Sequence, residues 1–122
     1  MSRGPHEVVI VGAGPAGAAL ATHLATAGLD VLLLDRDAFP RPKPCGECLN
    51  PAAVHALERL GALPAVLAAA PARLRGWRIV APAGGFAGGF PEGEQGLALP
   101  RAVLDALLLQ HARAAGAEVR TG

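Results

Sequence analysis

The chain has 122 residues, a formal net charge of +1, 52% hydrophobic and 17% charged residues, so it suits a core-forming domain and argues against intrinsic disorder. Near-neutral charge and 3% aromatics without Tyr exclude a strongly basic nucleic-acid-binding domain and a base-stacking platform as defaults. Two cysteines cannot build the disulfide framework of a small secreted domain.

In chain order, residues 1–6 read as a loose start. Glu7–Val11 (EVVIV) is a β-branched run, as expected of a strand buried on both faces of a parallel sheet. Pro15–Ala27 reads as a helix stopped by Gly28, and Asp30–Leu34 as a second buried strand ending at Asp35. Together these make a βαβ unit. Val8–Leu29 carries no Asp, Glu, Lys or Arg, which tempts a membrane-span reading. Gly12, Gly14, Pro15 and Gly17 interrupt it, so a strand, a turn and a helix fit better, in a cytoplasmic protein without a transmembrane segment.

Arg36–Asn50 is expected to be a loop, because Pro40, Pro42 and Pro44 forbid regular structure. Asn50-Pro51 is an N-cap and first-turn pair for a helix to about Leu60, which Gly61 ends. A short helix follows around Leu63–Ala70. Leu74–Val80 reads as a strand, Pro82–Gly85 as a turn, and Phe86–Phe90 and Leu97–Leu99 as short strands. Arg101–Ala115 is a helix with an apolar stripe of Val103, Leu104, Leu107, Leu108 and Ala112. Gly116 stops it, and Ala117–Thr121 begins a third parallel strand. Such a sheet leaves an edge unpaired and a face uncovered, which points to a portion of a larger protein.

The strongest motif is Gly12-Ala13-Gly14-Pro15-Ala16-Gly17, a G-x-G-x-x-G that follows a strand and opens a helix. Gly12 permits the tight turn, Gly14 lets a pyrophosphate approach the backbone, and Gly17 lets helix pack on strand. The helix N-terminus then faces the phosphates with free N–H groups and partial positive charge. Asp35, at the end of the second strand, is placed to accept hydrogen bonds from the hydroxyls of an adenosine ribose. Its charge would repel a 2′-phosphate. The motif by itself leaves both FAD and NAD open as the dinucleotide.

Three segments carry a family resemblance: the glycine loop with its acid, Lys43-Pro-Cys-Gly-Glu-Cys48, and the helix start Arg101…Asp105. Over nearly the whole chain the sequence resembles the N-terminal part of the FAD-dependent oxidoreductases related to geranylgeranyl reductases. These share their FAD fold with aromatic flavin monooxygenases and flavin halogenases. The implied fold is α/β, a Rossmann-like FAD/NAD(P)-binding fold. It would comprise a three-strand parallel start of the sheet, a partial β-hairpin insertion, and an incomplete domain. The implied layout of residues 1–122 is a βαβ dinucleotide unit at 7–35, a flavin-side loop at 36–50, substrate-side strands at 73–99, and a helix with the third strand at 101–121.

The resemblance places Arg36 beside the adenine, where a guanidinium stacks on a purine. It brings Cys45, Gly46 and Glu47 near the isoalloxazine, and Arg101 to the phosphate–ribityl region. The bland alternatives are a solvated Arg36 and an ordinary first-turn charge at Arg101. Cys45 and Cys48 form C-x-x-C, which reads as a zinc half-site, a redox pair, or a family loop cysteine beside an incidental one. The last is preferred: His6, His23, His55 and His111 lack paired ligand spacing, and Cys45 follows Pro44 in a loop. No metal is expected. His23 and His111 read as surface or packing residues. Arg73, Arg75 and Trp77 alternate onto one strand face, more simply the outer face of a hairpin than a substrate pocket.

The implied activity is NAD(P)H-dependent reduction of a C=C bond in an isoprenoid or similar apolar small molecule. Alternatives are a flavin monooxygenase or halogenase, an NAD-dependent dehydrogenase, and a non-catalytic nucleotide-binding fragment. No catalytic acid or base is identified in this segment.

Overall fold

A computed structural model describes residues 4–122. The strands are β1 (Val8–Val11), β2 (Val31–Asp35), β3 (Cys48–Leu49), β4 (Ala72–Leu74), β5 (Gly76–Ala81), β6 (Gly84–Gly89), β7 (Gly96–Ala98) and β8 (Glu118–Thr121). The helices are α1 (Pro15–Thr26), α2 (Pro51–Leu60), α3 (Leu63–Ala68) and α4 (Arg101–Ala114). The chain divides into two compact units, one of residues 1–44 and 100–122, the other of residues 45–99.

The first unit carries a three-stranded sheet in the order β1-β2-β8. Both pairings are parallel, with Val9 opposite Leu32 and Leu33 opposite Val119. Parallel neighbours need crossovers, and α1 and α4 supply them. These helices pack on each other and on the sheet. Ala18, Ala21 and Thr22 of α1 are buried, and the small alanines allow close approach to α4. The buried Thr22 hydroxyl donates to the Ala18 carbonyl at 2.9 Å, which satisfies it within the helix. Val31 and Leu33 of β2 and Leu104, Leu108, Leu109 and Ala112 of α4 complete this core.

Several expectations change here. Within these residues, β2 has a parallel neighbour on each side and is buried along Val31–Leu33, whereas β1 pairs with β2 alone, and Val9 is 54% and Val11 83% exposed. A β-branched run reports strand propensity, and Val9 and Val11 share one face, which is buried only by a layer packed over it. On α4, Leu109 and Asp105 are buried while Val103 is exposed. Met1–Arg3 of the expected loose start lie outside the described residues. His6 is not loose: its side chain is 10% exposed, with Nδ1 3.1 Å from Asp30 Oδ1 and Nε2 3.5 Å from Glu118 Oε2. It thereby joins the chain just ahead of β1 to the residue just ahead of β2 and to the start of β8.

The second unit holds an antiparallel sheet in the order β3-β7-β4, the hairpin β5-β6, and the helices α2 and α3. Asn50 caps α2 as its sequence indicates, its side chain accepting from the Ala53 N–H at 2.9 Å. Gly61 ends that helix at φ 78°. The expected Leu74–Val80 strand is instead two strands, β4 on β7 and β5 on β6. Arg73 thus lies on β4, Trp77 on β5 and Arg75 between them, so the three share no single strand face. The proline loop also contains the two-residue strand β3, made regular by pairing with β7.

Candidate dinucleotide site

The site builds from the end of β1. Gly12 sits at φ 103°, a conformation that L side chains rarely adopt, and its N–H donates to the Leu34 carbonyl at 2.7 Å. The turn is therefore tied to β2 just before Asp35. A Cβ at Gly17 would land on the Gly12 carbonyl oxygen, so a side chain there would push α1 off the turn. Gly14 is the N-cap of α1, with no side-chain cap and no acid in the first turn. A Cβ built on Gly14 meets no protein atom within 4 Å, so the backbone leaves an open bay at the positive end of the helix.

Asp35 closes the other side of this turn. Its Oδ2 accepts from the Ala13 N–H at 2.8 Å and its Oδ1 from the Asp37 N–H at 2.9 Å. Burial pushes its carboxyl up. The Asp37 and Ala13 N–H groups, then the charges of Arg41 and Lys43, together outweigh that, and the net pKa lies below the ordinary carboxylate value. Asp35 is thus ionised and held by backbone on two sides, with further lone pairs on both oxygens available to hydroxyl donors. A recess of about 250 Å³ opens beside it, lined by Val11, Gly12, Asp35, Arg36, Asp37 and Lys43.

The residues around the turn fit an adenine dinucleotide. They combine a side-chain-free bay at a helix N-terminus with an ionised acceptor beside it. This is the donor and acceptor set that a pyrophosphate and an adenosine ribose require.

Arg36 lines the recess with a side chain 88% exposed, its Nε 3.9 Å from Asp37 Oδ1. Arg101 is engaged within its own helix: Nε donates to Asp105 Oδ1 at 2.8 Å and Nη2 to Asp105 Oδ2 at 3.0 Å. In the second unit, Glu47 adopts φ 59°, and its carbonyl accepts from the Leu99 N–H at 3.1 Å. The exposed Cys45 Sγ accepts from the Glu47 N–H at 3.3 Å, and the exposed Cys48 thiol donates to the Gly46 carbonyl at 3.2 Å. Each sulfur is engaged in its own turn.

Arg41 is the residue that sequence reasoning missed. It lies in the proline-rich loop, yet its side chain is only 7% exposed and its Nη1 donates to the fully buried Asp105 carboxylate at 2.7 Å. The signal was on α4. A charged residue among Leu104, Leu108, Leu109 and Ala112 demands a buried partner.

Residues 6–122 match the FAD-binding domain family. The chain belongs to this family. It is 36% identical over 119 residues to the digeranylgeranylglycerophospholipid reductase of Methanosarcina acetivorans, covering 94% of this chain and 28% of that protein. It is 58% identical over 55 residues to the menaquinone reductase of Mycobacterium tuberculosis, covering 45% of this chain and 14% of the relative. Among solved structures, it resembles the myxobacterial chondrochloren halogenase CndH, an FAD-dependent halogenase. The TM-score is 0.87 at 31% identity, over 95% of this chain and 28% of that one. The chain thus spans less than a third of each of these proteins. The fold is the α/β, Rossmann-like FAD-binding fold expected from the sequence. Among the described residues, no helix is long and apolar enough to cross a membrane.

Proposed function

We propose that this chain is the FAD-binding portion of a flavoprotein oxidoreductase that reduces a C=C bond in an isoprenoid or similar apolar small molecule, with NAD(P)H as electron donor. The observation that carries the dinucleotide reading is the Asp35 carboxylate, fixed by the Ala13 N–H beside the open glycine turn, and the FAD-binding family match over residues 6–122 favours FAD over NAD. Asp35 would accept the ribose hydroxyls. Gly12, Ala13, Gly14, Pro15, Ala16 and Gly17 would form the pyrophosphate turn, and Arg36 would lie along the adenine. Arg101 is assigned to the phosphate–ribityl region, and Cys45, Gly46 and Glu47 to the flavin end; these assignments are carried by the resemblance.

Bound FAD supplies hydride transfer, and the chain's part is to bind and orient it. The α1 N-terminus would face the phosphates with backbone N–H groups and partial positive charge, without a side chain. The backbone N–H groups on Asp35 keep its carboxylate acceptor-only, which suits two hydroxyl donors and disfavours a 2′-phosphate.

The reductase reading is supported by the two named reductases, one of which is matched over most of this chain. A second reading, an FAD-dependent monooxygenase or halogenase, is favoured by the CndH likeness. The discriminating experiment is turnover of the full-length protein with NADPH or NADH, with and without oxygen. Product formed anaerobically supports the reductase, and product formed only with oxygen overturns it. Purification of the protein without flavin, and without FAD uptake on titration, would overturn both.

A further inference from the structure

We propose that Arg41 is a positioning residue, joining the Asp35 carboxylate to Asp105 and Arg101 so that the ribose acid and the first arginine of α4 are set as one unit. This rests on the reading of Asp35 as the ribose acid. Three carboxylates face one guanidinium. Arg41 Nη1 donates to Asp105 Oδ2 at 2.7 Å, Nη2 lies 3.8 Å from Asp35 Oδ2, and Nε lies 3.6 Å from Asp37 Oδ2. Only the Asp105 contact is a hydrogen bond. Nε is buried with no hydrogen-bond partner, and the guanidinium carbon stands 4.3 Å over the Phe39 ring.

The geometry separates anchoring from steering. Asp105, 0% exposed and gripped by Arg101 on two atoms, is the fixed point. It pins one edge of Arg41, and the other edge presents positive charge to Asp35 from within hydrogen-bonding range of neither oxygen. Attraction without a bond adds to the Ala13 and Asp37 N–H groups in keeping Asp35 turned, while leaving its remaining lone pairs for a ligand. Among the described residues, the cations near Asp35 are Lys43 and Arg36, which are exposed and salt-screened, and Arg41, which is buried. A lysine keeps the charge but not the planar fork, so it cannot face Asp105 and Asp35 together.

The test uses full-length protein stripped of flavin, with ADP and 2′-deoxy-ADP each competing against FAD re-binding. Losing one hydroxyl bonded to a charged acceptor weakens wild-type binding about tenfold, so the two probes are expected to differ by that factor. Asp35→Asn is expected to collapse the difference. Arg41→Gln is expected to bring it below about threefold, and Arg41→Lys, which retains the buried charge and guards against a folding failure, to leave it intermediate. Thermal midpoints are measured alongside. A purely structural Arg41 would lower the midpoint but keep the full wild-type discrimination in both Arg41 variants, which overturns the proposal while leaving the Asp35 reading intact. Wild-type protein that binds both probes equally overturns the Asp35 reading and the proposal with it.

Discussion

Arg41 and Asp105 stand 64 residues apart in sequence and meet at 2.7 Å inside the first unit, one 7% and the other 0% exposed. Their contact ties the loop after β2 to the first turns of α4. A pair so buried is worth little against an apolar replacement, but removing one partner strands the other charge.

Asp105→Ala is therefore expected to destabilise the protein by about 3–5 kcal/mol, because buried Arg41 loses its hydrogen-bonded carboxylate and Arg101 loses the one it grips on two atoms. Asp105→Asn, which retains an acceptor oxygen, should cost less. Urea denaturation of the two variants beside wild type measures the order. Equal midpoints for Asp105→Ala and wild type would contradict the stranded-charge argument.

The glycine turn makes a steric prediction. Gly17→Ala drives a methyl into the Gly12 carbonyl and should cost about 1–3 kcal/mol by overpacking. Gly14→Val meets no protein atom within 4 Å, but its side chain fills the phosphate bay. It should leave the unfolding midpoint near wild type and abolish flavin retention. Stability and flavin content of the two variants, measured together, separate packing from binding.

Asp35→Ala removes the acceptor proposed for the ribose hydroxyls. Hydrogen bonds to a charged group contribute about 1.5–3 kcal/mol each, so FAD affinity should fall at least about tenfold. Flavin fluorescence titration of the stripped protein gives the number. Unchanged affinity would remove Asp35 from the site.

Two titrations follow with opposite signs. The folded pKa of Asp35 lies below its unfolded value, so its contribution is fully present above the unfolded carboxylate pKa of about 3.9 and disappears as pH falls through the folded value. Wild type should lose more stability than Asp35→Asn on acidification from about pH 5. His55 is raised above its ordinary value by its hydrogen bond to Glu94, at 2.8 Å, and by the Glu94 charge, against an opposing effect of desolvation, with a lesser contribution from Glu58. Its contribution is present below about pH 6.5 and disappears as pH rises through the folded pKa. An NMR titration of the His55 ring should show a midpoint above that of a free imidazole, shifted down in Glu94→Gln.

Much of the architecture was legible locally. A β-branched run, a glycine turn, an alanine-rich helix and Asn50-Pro51 each carry their conformation in a few adjacent residues, so β1, α1, β2 and α2 stand close to their expected bounds. The glycine motif and Asp35 belong to the same class, because a strand, a turn and the next strand of one βαβ unit bring them together. Pairing partners are not local. Whether β1 is central or at an edge, whether residues 72–81 form one strand or two, and whether Cys48–Leu49 pairs at all depend on chain that arrives from elsewhere.

The sequence by itself thus determined the dinucleotide motif, because its geometry arises within one βαβ unit. Only the tertiary structure decided how Asp35 is flanked and what Arg101 holds. Those answers depend on Arg41, which lies in the proline-rich loop and meets Asp105 only once α4 folds back against it. A buried charge fixes its partner through desolvation, and desolvation exists only once the core has closed.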